Sequence, residues 1–95
     1  VQANIKGSSQ ILTSTSNMEI LPEKPQGQTY NYEFYVLSFM NDQACTVKIN
    51  GSEPIYLRAG QGFNFESKNY YDNVSITSFV IVEVGINFNW VGLHY

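Results

Sequence analysis

The chain has 95 residues, enough for one domain with a modest core and little room for a deep catalytic cleft. Charged residues are sparse at 14% and aromatics abundant at 15%, a balance that excludes a disordered chain. The net charge of −3 and a thin scatter of basic residues argue against a nucleic-acid partner, because phosphate binding needs clustered cations. The aromatics either fill the core or leave apolar surface for a partner to cover. Cys45 is the only cysteine, so no intrachain disulfide can form, and its place beside Val47 and Ile49 reads as a buried, inert thiol. No apolar run approaches the length of a membrane span.

Residues 1–29 are rich in Gln, Ser, Asn and Thr and contain Pro22 and Pro25. They read as a polar arm or as the first strands, with short strand candidates at 10–14 and 18–21 and a loop at 22–28. Residues 30–95 read as the folded domain. Residues 30–40 form a long strand candidate, with Tyr30, Tyr32, Phe34 and Val36 on one face and Tyr35, Leu37 and Phe39 on the other. Apolar groups on both faces fit a central strand. Asn41-Asp42-Gln43 then turns the chain.

From Ala44 onward apolar and polar residues alternate, the mark of strands with one buried face. Cys45, Val47 and Ile49 alternate with Thr46 and Lys48, and Ile55 and Leu57 flank Tyr56. Asn50-Gly51 is a strong hairpin signal because both residues tolerate positive φ. Pro54, lacking an N–H, marks a strand start or an edge. Ala59-Gly60-Gln61-Gly62 reads as a turn rather than a phosphate cradle, because Phe63-Asn64-Phe65 continues as strand and no helix follows. Residues 67–73 form a polar loop around Tyr70 and Tyr71. In the strand expected over 74–84, Phe79-Val80-Ile81-Val82 does not alternate, which predicts cover on both faces. Gly85 permits a turn before a last strand over 86–92.

Seven or eight short strands with regular turns predict an all-β fold, a small β-sandwich, with a jelly roll among the arrangements that fit. The predicted core is Cys45, Val47, Ile49, Ile55, Leu57, Phe63, Phe65, Ile76, Phe88 and Trp90.

The chain offers one histidine, His94, and one cysteine, so neither a zinc cage nor a nucleophile–base–orienter set is expected, and no cofactor. The acids fall in turns or at polar strand positions and read as solvated, although two of them could in principle form a glycosidase pair. Tyr56, Tyr70 and Tyr71 are the candidate contact residues. Exposed, they could stack on sugar rings, with Asn69, Asp72 and Asn73 supplying hydrogen bonds; otherwise they belong to the core or to an interface.

The segment Val47-Lys48-Ile49-Asn50-Gly51, then Pro54-Ile55-Tyr56-Leu57, Ala59-Gly60-Gln61-Gly62-Phe63, Ile76-Thr77-Ser78-Phe79-Val80-Ile81-Val82 and the closing Asn89-Trp90-Val91-Gly92 resembles the small β domains of tailed-phage virion proteins. The likeness is to capsid decoration and head-fibre base domains and covers residues 44–95. It implies a non-enzymatic protein attached to a bacteriophage capsid, often as a homo-trimer, with the major capsid protein or another virion component as partner and the capsid surface as its location. The family supplies no catalytic residue to carry over. Residues 1–28, rich in backbone groups able to pair with a neighbour's sheet edge, are the expected attachment. The alternative is a carbohydrate-binding β-sandwich module using the tyrosines.

Overall fold

The computed structural model describes residues 4–23, 27, 32–67 and 75–94. Nine strands form among them and no helix: β1 (Asn4–Gly7), β2 (Leu12–Thr13), β3 (Met18–Glu19), β4 (Phe34–Asn41), β5 (Cys45–Ile49), β6 (Ile55–Leu57), β7 (Phe63–Glu66), β8 (Phe79–Ile81) and β9 (Asn87–His94). They make two antiparallel sheets. Sheet A has the order β1-β9-β4-β7, with β2 also pairing β9, and sheet B has the order β3-β8-β5-β6. With β1 and β2 counted as one interrupted strand, this is the order of an eight-stranded jelly roll. The β5–β6 hairpin stays within sheet B; from β2 onward every other connection crosses between the sheets.

The N-terminal segment, polar enough to read as an arm, supplies strands to both sheets. Asn4 pairs His94 and Gly7 pairs Val91, Leu12 pairs Phe88, and Met18 pairs Ile81. The pairing capacity expected of it toward a neighbour is thus used, in these strands, within the domain.

The core lies between the sheets. Phe34, Leu37 and Phe39 of β4 and Phe88 and Trp90 of β9 face Val47, Phe79 and Ile81 of sheet B, all buried. The Phe39 and Phe79 rings bridge the layers with centroids 4.7 Å apart, and Trp90 stands edge-on to Phe34 at 5.6 Å. Burying one such ring contributes about 1.5–3 kcal/mol.

β4 departs from simple alternation. Phe34 pairs His94 but Val36 pairs Leu93, so Tyr35 is an extra residue and the strand bulges. The bulge puts Phe34 on the same face as Leu37 and Phe39, where an unbroken period of two sets them apart. Gly92 makes room for it: a Cβ there would lie 2.6 Å from Phe34 Cδ1.

The predicted core is otherwise recovered, with one correction. Cys45, Val47, Leu57, Ile76, Phe88 and Trp90 are buried, and Ile49, Phe63 and Phe65 pack against them half-buried. Ile55 is 40% exposed, because β6 is the outermost strand of sheet B and Ile55 is its first residue. The stretch at Phe79 also differs from expectation: Phe79 and Ile81 are buried while Val80 and Val82 are half-exposed, so its burial does alternate.

The turns follow their sequences. Asn50 and Gly51 both have positive φ, 51° and 73°, and the Ser52 amide closes the turn on the Ile49 carbonyl at 2.9 Å. Positive φ at both central residues matches strand twist, and the register of Val47 opposite Ile55 adds Ser52, whose hydroxyl accepts the Ile49 amide at 3.0 Å, as a third loop residue. Gly62 has φ 69°, and a Cβ would come within 2.6 Å of the Phe39 carbonyl oxygen, so glycine is required there on both counts.

Candidate functional site

Residues paired directly across a sheet share a face, so the register assigns the outward side chains. On sheet A, Ile5 aligns with Leu93, Val36 and Glu66, Val91 aligns with Ser38, and Met40 with Asn89. Ile5, Met40 and Val91 are exposed and Val36 and Leu93 half-exposed, so an apolar band runs outward across β1, β9 and β4. Polar pairs border it. Ser38 Oγ donates to Asn64 Oδ1 at 2.8 Å, and Thr13 Oγ1 donates to Asn87 Oδ1 at 2.8 Å. These bonds satisfy the side-chain groups laterally and leave the band as the apolar part of the face.

The outer face of sheet B is different. Glu19, Val80 and Lys48 form one row, and Thr46 and Tyr56 another. Tyr56 is 65% exposed, with its ring in solvent on this charged face. Of the candidate contact residues it is the only one placed, since Tyr70 and Tyr71 lie outside the described residues.

Buried polar groups near the ends of the strands serve the fold. Asn41, at the end of β4, donates through Nδ2 to the carbonyls of Gln43 at 2.8 Å and Arg58 at 2.9 Å, and accepts the Gly62 amide at 2.9 Å. One side chain thus joins the β4–β5 and β6–β7 turns. Ser14 does the same for residues 14–17 and the β8–β9 turn: its hydroxyl donates to the Glu83 carbonyl at 2.6 Å and accepts the Ile86 amide at 3.0 Å. Gln43 Oε1 accepts the Asn87 amide at 2.8 Å, tying two of these turns together. Beyond this braced end Val84 stands 70% exposed. The sequence signals Asn41 and Ser14 only as polar residues in phase with apolar strand neighbours, a pattern too common to single them out.

Several titratable groups serve the fold. Glu19 accepts Ser78 Oγ at 2.6 Å and the Phe79 amide at 2.7 Å. Glu83 Oε1 accepts the Thr46 amide at 2.7 Å. Burial acts to raise the Glu83 carboxyl, but hydrogen bonds from the Thr46 backbone and side chain outweigh it and hold the group below its ordinary 4.5. Burial, reinforced by the Glu83 charge, pushes the Cys45 thiol above its ordinary range, with a hydrogen bond to Asn41 opposing; Cys45 is a protonated core residue. His94 is buried against Tyr32 and Phe34, with ring centroids at 4.7 and 5.6 Å, and Lys6 Nζ lies 5.0 Å above the Tyr32 ring. Among the described residues no group of three or more His, Cys, Asp or Glu is placed to hold a metal ion.

No protein-family model matches the chain, and comparison with curated proteins and with solved structures likewise gives no match.

Proposed function

We propose that this chain is a non-enzymatic virion structural protein, a capsid decoration or head-fibre anchoring subunit that docks on the capsid surface. The observation that carries the reading is the apolar band of sheet A, formed by Ile5, Met40 and Val91 with Val36 and Leu93 and bordered by polar pairs. Apolar surface rimmed by polar groups is characteristic of protein contact. The jelly-roll order of the strands supports the reading as an analogy of fold, since capsid domains use it, though lectins do as well. The buried polar side chains Asn41 and Ser14 are engaged in joining turns, which is how a rigid docking module is built.

Phe34, Leu37, Phe39, Phe79 and Ile81 are absorbed by the core, so the apolar side chains of β4 and β8 do not themselves call for a second copy. A homo-trimer remains part of the proposal through the resemblance to phage proteins, with the sheet A band as its contact or as the contact with the major capsid protein.

The experiment is co-sedimentation of the purified chain with bare capsids, repeated with Ile5→Lys and Val91→Lys. Ile5 is 73% exposed, so its change should stay within about 0.5 kcal/mol, while Val91 is 46% exposed on a strand paired on both sides and its change should cost up to about 1 kcal/mol. Co-sedimentation that falls with these charges supports the reading; undiminished binding by both folded variants moves the contact off sheet A. A second reading, carbohydrate binding, is favoured by the exposed Tyr56 ring. A Tyr56-dependent signal on a glycan array, with no capsid binding by the unaltered chain, would put that reading first.

A further inference from the structure

Asn-Gly is the dipeptide most prone to deamidation, because glycine leaves its backbone nitrogen unhindered for attack on the preceding side chain. Asn50-Gly51 lies in the β5–β6 turn, on the surface where water can reach it. Its side-chain amide, however, is held at both of its polar atoms. Asn50 Oδ1 accepts the amides of Thr77 at 2.8 Å and Ser78 at 3.1 Å and the Thr77 hydroxyl at 3.3 Å, and Nδ2 donates to the Ser75 carbonyl at 2.8 Å. The Asn50 backbone amide adds a bond to the Ser78 carbonyl at 2.9 Å. One asparagine therefore clasps residues 75–78, the approach to β8, to the hairpin turn.

We propose that Asn50 is a deamidation site held in check by this clasp, and that reaction there releases residues 75–78. In the reaction the Gly51 nitrogen bonds to Asn50 Cγ, the Cγ–Nδ2 bond breaks, and ammonia leaves with the proton from the Gly51 nitrogen. Water then opens the resulting succinimide at either carbonyl, giving aspartate or isoaspartate. While the clasp is closed, Cγ is anchored from both of its polar atoms toward residues 75–78, so attack needs local opening. The products cannot close it again in the same form. Aspartate places an oxygen where Nδ2 faced the Ser75 carbonyl, setting acceptor against acceptor. Isoaspartate lengthens the backbone in a turn that depends on positive φ at both central residues. This proposal is independent of the docking reading, since no residue of the clasp belongs to the sheet A band.

The test begins with the unaltered chain. Folded and guanidinium-unfolded samples are incubated in mildly alkaline buffer, and conversion of the peptide containing Asn50-Gly51 is followed by mass spectrometry. Conversion should be about tenfold or more slower in the folded sample, the factor given by modest local protection. Equal rates would overturn the guarding role. The N50G variant, which keeps the positive φ of the turn but has no side-chain acceptor for Thr77 and Ser78, and an aged folded sample enriched in isoaspartate are then examined by amide hydrogen exchange. Faster exchange at Thr77 and Ser78 than in the unaltered chain is expected, with β4 and β9 unchanged. Unaltered protection at both amides would overturn the clasp. If N50G does not fold, the aged sample alone supplies the same measurement.

Discussion

β4 and β9 run eight residues each and pair along nearly their whole length at the centre of sheet A, whereas the longest strand of sheet B, β5, has five residues and β3 only two. Sheet A is held by a long backbone ladder. Sheet B adds side chains that take the place of missing ladder bonds: Glu19 receives the Phe79 amide, Glu83 the Thr46 amide, and Asn50 the amides of Thr77 and Ser78. The difference extends to the surfaces. The sheet with the long ladder, in which neutral side chains take up the Asn87 and Trp90 amides of β9, presents an apolar outer band, while the sheet of short strands, two of whose amides go to carboxylates, keeps a polar, charged one. A neutral hydrogen bond, such as those to Asn50, contributes about 0.5–1.5 kcal/mol net and one to a charged group up to about 3 where water is excluded, so these substitutes at least match the ladder bonds they replace.

The largest expected effect is on what the two sheets share. Phe39 leaves sheet A to touch Phe79 of sheet B and also packs on Phe88 of its own sheet. Phe39→Ala should lower stability by about 3–5 kcal/mol, read from urea unfolding, since the site is walled by other rings and cannot collapse fully. A loss confined to sheet B, seen as early exchange there with an intact β4–β9 ladder, would mean that the sheets unfold separately.

Next comes Asn41, which links turns on the two sheets. Asn41→Ala leaves the Gly62 amide and the Gln43 and Arg58 carbonyls without their partner in a buried setting. About 2–3 kcal/mol should be lost, at the upper end for an unsatisfied buried group. Thermal unfolding measures it, and a change within error would show that water replaces the side chain at no cost.

The two sheets also differ in how far the sequence reveals them. The alternation of Cys45, Val47 and Leu57 and of Phe88 and Trp90 identified their buried faces, because each strand there follows a strict period of two. It misplaced Phe34 relative to Leu37, because a bulge is a pairing event between β4 and β9 and leaves no trace in either strand read alone. The apolar band was hidden for the same reason. Ile5 and Val91 share a surface only once β1 is known to pair β9, and a polar composition argued that residues near Ile5 were an arm. Tyr56 was legible as an outward residue because its neighbours Ile55 and Leu57 set the phase, yet Ile55 itself is part-exposed because nothing pairs beyond β6 among the described residues. Asn50 is legible as a turn former from its neighbour Gly51, whereas its clasp on residues 75–78 depends on a contact distant in sequence.

The smallest effect isolates one of the substitutes in sheet B. Glu83 has a folded-state value lowered below its ordinary 4.5, with burial opposing and the Thr46 hydrogen bonds prevailing. A lowered value means that the folded chain binds its proton less readily than the unfolded chain. The stabilisation it brings is therefore complete above the ordinary value and is lost as pH falls through the lowered one. Glu83→Gln keeps an oxygen for the Thr46 amide and removes the titration. Solvent reaches this half-exposed carboxylate, so the contribution is modest. Stability measured by urea unfolding from neutral pH down through the carboxylate range should fall less steeply for the variant than for the unaltered chain, with the two curves converging at the acid end. Parallel curves across that whole range would show that the charge on Glu83 adds nothing to the hydrogen bond it accepts, and would leave Glu19, which holds the Phe79 amide, as the carboxylate on which the charged contribution to sheet B rests.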